Sequence, residues 1–208
     1  MTACCLSASS AGIRHLAARY TQQGRGVALS EHTRFEELVS PHLDAGYNLA
    51  RWLTRNPQDA EDVVQEACMR ALKYVGSVRG NDARAWFLTT VRHAFYDWHK
   101  RNRPPEVVAD DDAIDLIEDP AAIDPEQAAL RSAESRLLGD AIAQLPTDFR
   151  EVLILRELED LSYKEIARVA DIPIGTVMSR LARARGLLQR SPLLRAMREE
   201  RAEVNHEL

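Results

Sequence analysis

Residues 104–126 divide the chain into two parts, because a segment of this composition cannot form a buried core. It contains nine Asp or Glu residues, four prolines and no Lys or Arg. Like charges repel one another and prolines interrupt helices, so the segment is predicted to be an extended acidic linker. A partly ordered acidic segment that docks on a basic surface is the alternative. The rest of the 208-residue chain has room for two small domains.

The part before the linker carries the start signals and the spacing of α-helices. Residues 40–41 (Ser-Pro) and 56–57 (Asn-Pro) each combine a capping side chain with a proline in the first helical turn. Apolar residues follow at helical spacing, and Asn81 is predicted to cap a third helix. We therefore predict a small helical domain over residues 31–103, preceded by a flexible N-terminal extension over residues 1–30.

The part after the linker also has helical spacing. One helix, with the sequence TDFREVLILRELED, is predicted to bury Phe149, Val152, Leu153 and Leu158. Ser162 and Glu165 have the spacing of a capping box, which predicts the start of the next helix. The sequence Asp-Ile-Pro ends that helix, and a last helix follows over about residues 174–189. These helices predict a second domain over residues 127–190, with a C-terminal tail over residues 191–208.

The predicted fold is all-α, since no segment shows the two-residue alternation of a β-strand. Two small helical domains are joined by an acidic linker. In the C-terminal domain, a short helix, a tight turn and a second helix have the arrangement of a helix-turn-helix.

The outer face of the last helix suits duplex DNA. Its buried stripe is predicted to consist of Val177, Leu181, Ala184 and Leu188. Arginine can contact a guanine edge or a phosphate, and the free N–H groups at a helix start favour a phosphate. The candidate DNA contacts are Gly175, Thr176, Ser179, Arg180 and Arg183. The alternative is an ordinary solvated helix face.

The helix after Asn81 combines aromatic rings with basic side chains. Phe87, Phe95 and Trp98 are assigned to the core. Cations bind backbone phosphates and rings stack on unpaired bases, so the opposite side suits single-stranded DNA. The candidate contacts on this side are Trp86, Arg92, His93, Tyr96, His99 and Lys100.

Composition excludes several other functions. No apolar run is long enough to span a membrane, and the first residues lack the pattern of a secretory signal. Three cysteines fit a reducing compartment, and none has the spacing of a metal site. No P-loop, GxSxG or HExxH motif occurs. We therefore expect no catalytic residues, no metal and no cofactor, and a protein that is not an enzyme.

Residues 145–188 resemble region 4 of the extracytoplasmic-function group of bacterial sigma factors. The matching residues are Leu145-Pro146, Arg150-Glu151-Val152, Leu161-Ser162, Glu165-Ile166-Ala167, Gly175-Thr176-Val177 and Ser179-Arg180-Leu181. The resemblance implies that this domain binds the promoter element near −35. Response-regulator output domains share a similar helix pair, so this match by itself leaves the class open.

Two upstream stretches resemble region 2 of the same family. NPQDAEDVVQEACMRAL is similar to the helix that docks on the largest subunit of RNA polymerase. The resemblance and the shared helix side assign core polymerase binding to Asp59, Asp62, Gln65, Glu66 and Met69. An acidic, solvated helix face is the alternative. RAWFLTTVRHAFYDWHKRNR is similar to the part that melts and reads the promoter element near −10.

His93 departs from the family pattern, which usually has asparagine at this position. Histidine still donates and accepts hydrogen bonds and can stack, but its charge depends on pH. The base preference at this position is therefore left open. Residues 75–82 correspond to the family's loop that captures a flipped base.

Together these patterns predict an alternative sigma factor that acts in the cytoplasm. It is expected to bind core RNA polymerase and promoter DNA, to melt the promoter, and to be held by an anti-sigma factor, without inserting into a membrane. The negative charge of the acidic linker is expected to reduce the binding of the free protein to bulk DNA. The alternative function is a helix-turn-helix transcription regulator that does not join polymerase.

Overall fold

The structure, a computed structural model, describes residues 29–78, 82–102 and 135–195. Before the linker, the helices are α1 (Leu29–Leu38), α2 (Leu43–Thr54), α3 (Pro57–Tyr74) and α4 (Ala83–Asn102). After it, they are α5 (residues 135–143), α6 (Thr147–Glu157), α7 (Tyr163–Ala170) and α8 (Ile174–Arg190). These ranges contain no strand, and the all-α prediction is confirmed. The acidic linker lies outside the described residues, as do most of the predicted N-terminal extension and C-terminal tail.

The two predicted helix starts before the linker have different outcomes. Asn56 caps α3 as predicted, because its side-chain oxygen accepts hydrogen bonds from the backbone N–H groups of Gln58 and Asp59. The prediction for Ser40 is wrong. A 3-10 turn covers Ser40–His42 without a side-chain cap, and α2 begins after it. Asn81 lies outside the described residues.

Helices α2, α3 and α4 pack around a core that holds α4 firmly in place. Phe87 and Phe95 on α4 are buried, as predicted, whereas Trp98 is only partly buried. Each fully buried side chain of this size contributes about 1.5–3 kcal/mol relative to an exposed one. Gly46 on α2 lies so close to Phe87 that a Cβ atom there would be 2.5 Å from a ring carbon. The glycine therefore permits the close approach of α2 and α4.

The helix-turn-helix is built from local signals. Ser162 and Glu165 form the predicted capping box at the start of α7. Asp171 ends α7 in the left-handed region, at φ 52°, and the N–H of Ile172 donates to the carbonyl of Ala167. Pro173 then precedes α8. This turn directs α8 across α7, which leaves one long face of α8 in solvent.

Leu158 corrects the predicted inner face of α6. Val152 and Leu153 are buried and Phe149 is partly buried, but Leu158 is 47% exposed. Helix α6 ends at Glu157, so Leu158 lies after the last regular turn and no longer follows the stripe.

The helices on the two sides of the linker pack against each other. Helix α2 contacts α6, and α4 contacts α7. The buried apolar residues of both parts form one continuous core, which includes Leu49 and Phe95 on one side and Val152 and Leu155 on the other. The packing therefore brings charged groups of the C-terminal helices against α4.

Candidate nucleic-acid interface

The outer side of α4 carries the residues predicted to contact single-stranded DNA. His93 and Lys100 are exposed, whereas Arg92, Tyr96 and His99 are half-buried. Trp86 is also half-buried and packs against the core. The structure thus brings these residues onto one helix, but it exposes them unequally.

Tyr96 is the centre of the aromatic contacts on this side. Its ring meets that of Phe95 edge-on, with the ring centroids 5.2 Å apart. The guanidinium of Arg92 lies over the Tyr96 ring, 4.7 Å from its centroid. A cation over an aromatic face is attracted by the ring quadrupole, so Arg92 and Tyr96 form one polar and aromatic unit.

The carboxylate of Glu151 on α6 accepts hydrogen bonds from both residues of this unit. The sequence analysis did not predict this contact. The Glu151 side chain is fully buried, and Oε1 accepts a hydrogen bond from Nε of Arg92 at 2.5 Å. The Tyr96 hydroxyl donates to Oε2 at 3.2 Å. Glu151 lies three and four residues before Ile154 and Leu155, which are fully buried, but the predicted inner face of α6 did not include these residues. A carboxylate on a buried helix face requires a partner, but the sequence does not say which one.

Burial changes the pKa of Glu151 and of Tyr96. Burial raises the pKa of the Glu151 carboxyl, and the charge and hydrogen bond of Arg92 oppose that effect. Burial also raises the pKa of the Tyr96 hydroxyl, and the negative charge of Glu151 adds to the shift. Tyr96 therefore stays neutral and remains a hydrogen-bond donor at physiological pH.

The outer face of α8 carries the residues predicted to contact duplex DNA. Gly175, Ser179 and Arg183 are exposed, and Thr176 and Arg180 lie half-buried at its flank. Arg180 donates to the Asp148 carboxylate of α6 at 2.7 Å. On the opposite flank, Arg185 donates to Glu157 at 2.6 Å. A Cβ atom at Gly175 would meet nothing within 4 Å, so packing does not require a glycine there.

The predicted polymerase-binding side of α3 points away from the core. Asp62 and Met69 are exposed, Met69 by 47%, and Asp59, Gln65 and Glu66 are partly exposed. The opposite side of the helix buries Ala60, Val63, Val64, Ala67, Cys68 and Ala71. Glu66 accepts a hydrogen bond from Arg70 at 2.8 Å, and Arg70 also donates to Asp97 of α4 at 2.7 Å.

Two further features concern the membrane and metals. Within the described ranges, no helix has the length and apolar character that crossing a membrane requires. The same ranges contain no cluster of three or more His, Cys, Asp or Glu side chains placed to hold a metal ion.

Two family descriptions match this chain on either side of the linker. Residues 38–104 match Sigma-70 region 2, and residues 135–188 match Sigma-70, region 4. The first match contains α4 and the predicted polymerase-binding side of α3, and the second contains the helix-turn-helix.

Curated relatives match this chain over most of their length. The RNA polymerase sigma-H factor of Pseudomonas aeruginosa is 40% identical over 170 residues, which cover 77% of this chain and 88% of the relative. The ECF RNA polymerase sigma-E factor of Haemophilus influenzae is 35% identical over 159 residues, which cover 68% of this chain and 77% of the relative.

Two solved structures are similar to this fold. The sigma factor RpoE in complex with the anti-sigma factor NepR, from Bartonella quintana, has a TM-score of 0.60 and 30% identity. That match covers 77% of this chain and 96% of the solved chain. CnrH in complex with the cytosolic domain of CnrY has a TM-score of 0.53 and 25% identity, and covers 88% and 97%.

Proposed function

The chain belongs to the extracytoplasmic-function sigma factors of bacterial RNA polymerase, and on that premise we propose which surface performs each step of initiation. The protein binds core RNA polymerase and directs promoter recognition, DNA melting and transcription initiation. A helix-turn-helix regulator that acts without polymerase has no use for region 2, so the match over residues 38–104 favours the sigma-factor function.

The upstream promoter element is assigned to the outer face of α8. Exposed Arg183 and half-buried Arg180 supply positive charge beside the short side chains of Ser179 and Gly175. Short side chains allow a helix to enter the major groove closely, and arginine reads guanine or holds a phosphate. Thr176 lies in the first turn, where backbone N–H groups favour a phosphate.

Melting of the downstream element is assigned to the outer side of α4. Trp86, Tyr96 and the imidazoles of His93 and His99 offer rings for unpaired bases, and Arg92 and Lys100 offer cations for the backbone. Stacking is worth about 1–3 kcal/mol per base, and extruding one base costs a few kcal/mol, so a few such contacts hold a melted duplex open. The buried Phe87 and Phe95 fix the helix, so these groups keep their relative positions.

Core polymerase binding is assigned to the exposed side of α3. Asp59, Asp62, Gln65 and Glu66 give a polar, mostly acidic surface, and Met69 adds an exposed apolar group. An acidic rim with one apolar contact suits a basic partner helix. The acidic charge steers the association with core polymerase, and the apolar contact contributes to the lifetime of the complex.

The remaining assignments concern partners and compartment. We assign nucleotide transfer to the polymerase, since this family consists of transcription initiation factors. The protein acts where polymerase is, in the cytoplasm. One solved relative is a complex with an anti-sigma factor and the other a complex with a cytosolic domain, which supports an anti-sigma factor as a partner of this chain.

Run-off transcription tests the proposed function directly. Core polymerase is mixed with the purified chain and with genomic fragments, and the start sites of the transcripts are mapped. We expect transcripts with shared sequence elements upstream of the start sites. Core polymerase without the chain is the control. Failure of the chain to bind core polymerase, or transcripts that do not depend on the chain, would overturn the proposal.

A further inference from the structure

An exposed apolar row, formed by Ile174, Met178 and Ala182, runs along α8. Ile174 is 38% exposed and Met178 is 51% exposed. Ala182, four residues further on, is also exposed. Residues four apart are neighbours on the surface of a helix, so the three side chains form a continuous strip over the first half of α8. The sequence analysis did not include them among the candidate DNA contacts.

The apolar row borders the proposed DNA-binding face directly. On a helical wheel at 100° per residue, Ala182 lies between Met178 and Ser179. Gly175 lies one turn before both Met178 and Ser179, and a Cβ atom there would meet nothing within 4 Å. Packing does not require this glycine, and glycine disfavours a helix. The missing side chain leaves open space beside the apolar row, through which DNA can approach α8 closely.

The major groove offers one chemical group that suits such a row. Only thymine carries a methyl group on its major-groove edge, whereas the other bases present hydrogen-bond donors and acceptors there. A thioether is a poor hydrogen-bond partner, so its contact with those polar atoms displaces water without replacing the lost hydrogen bonds. Contact with a methyl group removes apolar surface of both partners from water. The apolar row therefore favours thymine over the other three bases.

Met178 is the member of the row that is best placed to contact a base. It lies in the second turn of α8, and the first turns of the second helix approach the base edges in a helix-turn-helix. Its side chain is long and unbranched, so it adapts to the position of a methyl group. Ile174 is the first residue of the helix and Ala182 has a short side chain, so both extend the apolar surface around Met178.

We propose that Met178 is a specificity-determining residue, which selects a thymine in the upstream promoter element through contact with its methyl group. The inference rests on the proposed role of α8 and names the base that one part of its surface reads. Arg180 and Arg183 lie on the other side of Ser179 and supply the positive charge that holds the duplex. The arginines provide affinity for phosphate or guanine, and Met178 adds a preference for one orientation of an A·T pair.

The test selects DNA with the holoenzyme, which is formed from core polymerase and the full chain. A promoter mapped by run-off transcription supplies the fragment, and its upstream element is randomised. The bound fragments are recovered and sequenced for the wild type, Met178→Gln and Met178→Leu. Glutamine keeps the length of the side chain and makes it polar, whereas leucine keeps it apolar.

Leu187→Gln is the matched control for this selection. Leu187 is 37% exposed on the same helix, but it lies about 14 Å further along the helix axis than Met178. The same kind of substitution is thereby made beyond the part of α8 that approaches the bases. Circular dichroism identifies any variant that does not fold.

We expect the wild type, Met178→Leu and Leu187→Gln to enrich thymine at one position of the upstream element, and Met178→Gln to lose this preference alone. Deoxyuridine at that position then removes only the methyl group. The wild type should bind the deoxyuridine fragment about fourfold more weakly, as expected for the loss of one buried methyl group. Met178→Gln should bind the thymine and deoxyuridine fragments equally.

Three results would overturn the proposal. The first is a wild-type selection that enriches no thymine in the upstream element. The second is the same thymine preference in Met178→Gln and in the wild type. The third is a deoxyuridine effect of the same size in both proteins, since the methyl group would then be read by another residue.

The same selection separates this inference from the proposed function. If the wild-type holoenzyme starts no transcript or enriches no upstream sequence, the proposed role of α8 fails and the inference fails with it. If the wild-type holoenzyme enriches an upstream sequence and Met178→Gln enriches the same one, only the assignment of Met178 is lost.

Discussion

Arg180 of α8 donates a hydrogen bond to Asp148 of α6 at 2.7 Å, so one flank of α8 is tied to the start of α6. Arg185 makes an equivalent contact with Glu157 at 2.6 Å on the other flank of α8. The two arginines share a helix, a charge and the type of partner. Only Arg180 lies beside the predicted DNA-binding face, and Arg185 lies on the opposite flank of the helix.

Arg180→Ala and Arg185→Ala therefore form a matched pair for upstream promoter binding. We expect Arg180→Ala to weaken binding to a promoter fragment and to reduce the slope of log K against log salt by about 0.9, as one phosphate contact is lost. Arg185→Ala should leave both quantities close to those of the wild type. Filter binding by the holoenzyme over a range of salt concentrations measures them. Equal losses in the two variants would contradict the assignment of this face.

Asp62 and Glu61 give a matched pair for polymerase binding. Both are exposed neighbours on α3, but only Asp62 belongs to the predicted docking side. We expect Asp62→Lys to weaken binding to core polymerase by about tenfold or more, because it places a positive charge against a basic partner. Glu61→Lys should have a small effect. Competition for core polymerase against a labelled wild-type chain measures both, and a larger effect of Glu61→Lys would argue against this docking side.

Ser162 and Glu165 predict a dependence of stability on pH. The hydroxyl of Ser162, followed by its backbone N–H, lowers the pKa of Glu165 below its ordinary value of 4.5 by hydrogen bonding to the carboxylate. This stabilisation is present above the unfolded pKa of 4.5 and is lost as the pH falls through the lower folded pKa. We expect Ser162→Ala to lower the free energy of unfolding at neutral pH by about 1 kcal/mol.

Urea unfolding at several pH values measures this effect. Lys164→Ala is the control, since Lys164 is exposed on the same helix. The difference between Ser162→Ala and the wild type should shrink at acid pH, when Glu165 is protonated. A difference that stays constant across this range would show that the carboxylate plays no part in the cap.

Substitution of Gly46 is predicted to create a packing defect between α2 and α4. A methyl group at this position would lie 2.5 Å from Cε1 of Phe87 and 3.2 Å from Cγ2 of Val91. We expect Gly46→Ala to lower the free energy of unfolding by about 1–3 kcal/mol, because both side chains are buried and cannot move freely. Gly76→Ala is the control, since nothing lies within 4 Å of its added methyl group. Thermal unfolding compares the two variants, and equal stability would show that the core adapts.

The sequence by itself determined the helices and their faces. Caps such as Asn56 and the pair of Ser162 and Glu165 act over two or three residues, so their signals are local and readable. The apolar spacing likewise assigned Phe87 and Phe95 to the core. The predictions for Ser40 and Leu158 were wrong where a turn or a helix end interrupts the spacing.

Only the tertiary structure decided which groups meet across the chain. Arg92 and Glu151 are 59 residues apart, and Arg84 and Glu159 are 75 apart, on opposite sides of the linker. Helical spacing predicted an inner face of α6 that did not include Glu151, and it carries no information on the helices that cover this side chain. The partner is set by the packing of α6 and α7 against α2 and α4. For that reason the sequence indicated a basic side of α4, and only the fold showed that an acidic residue occupies it.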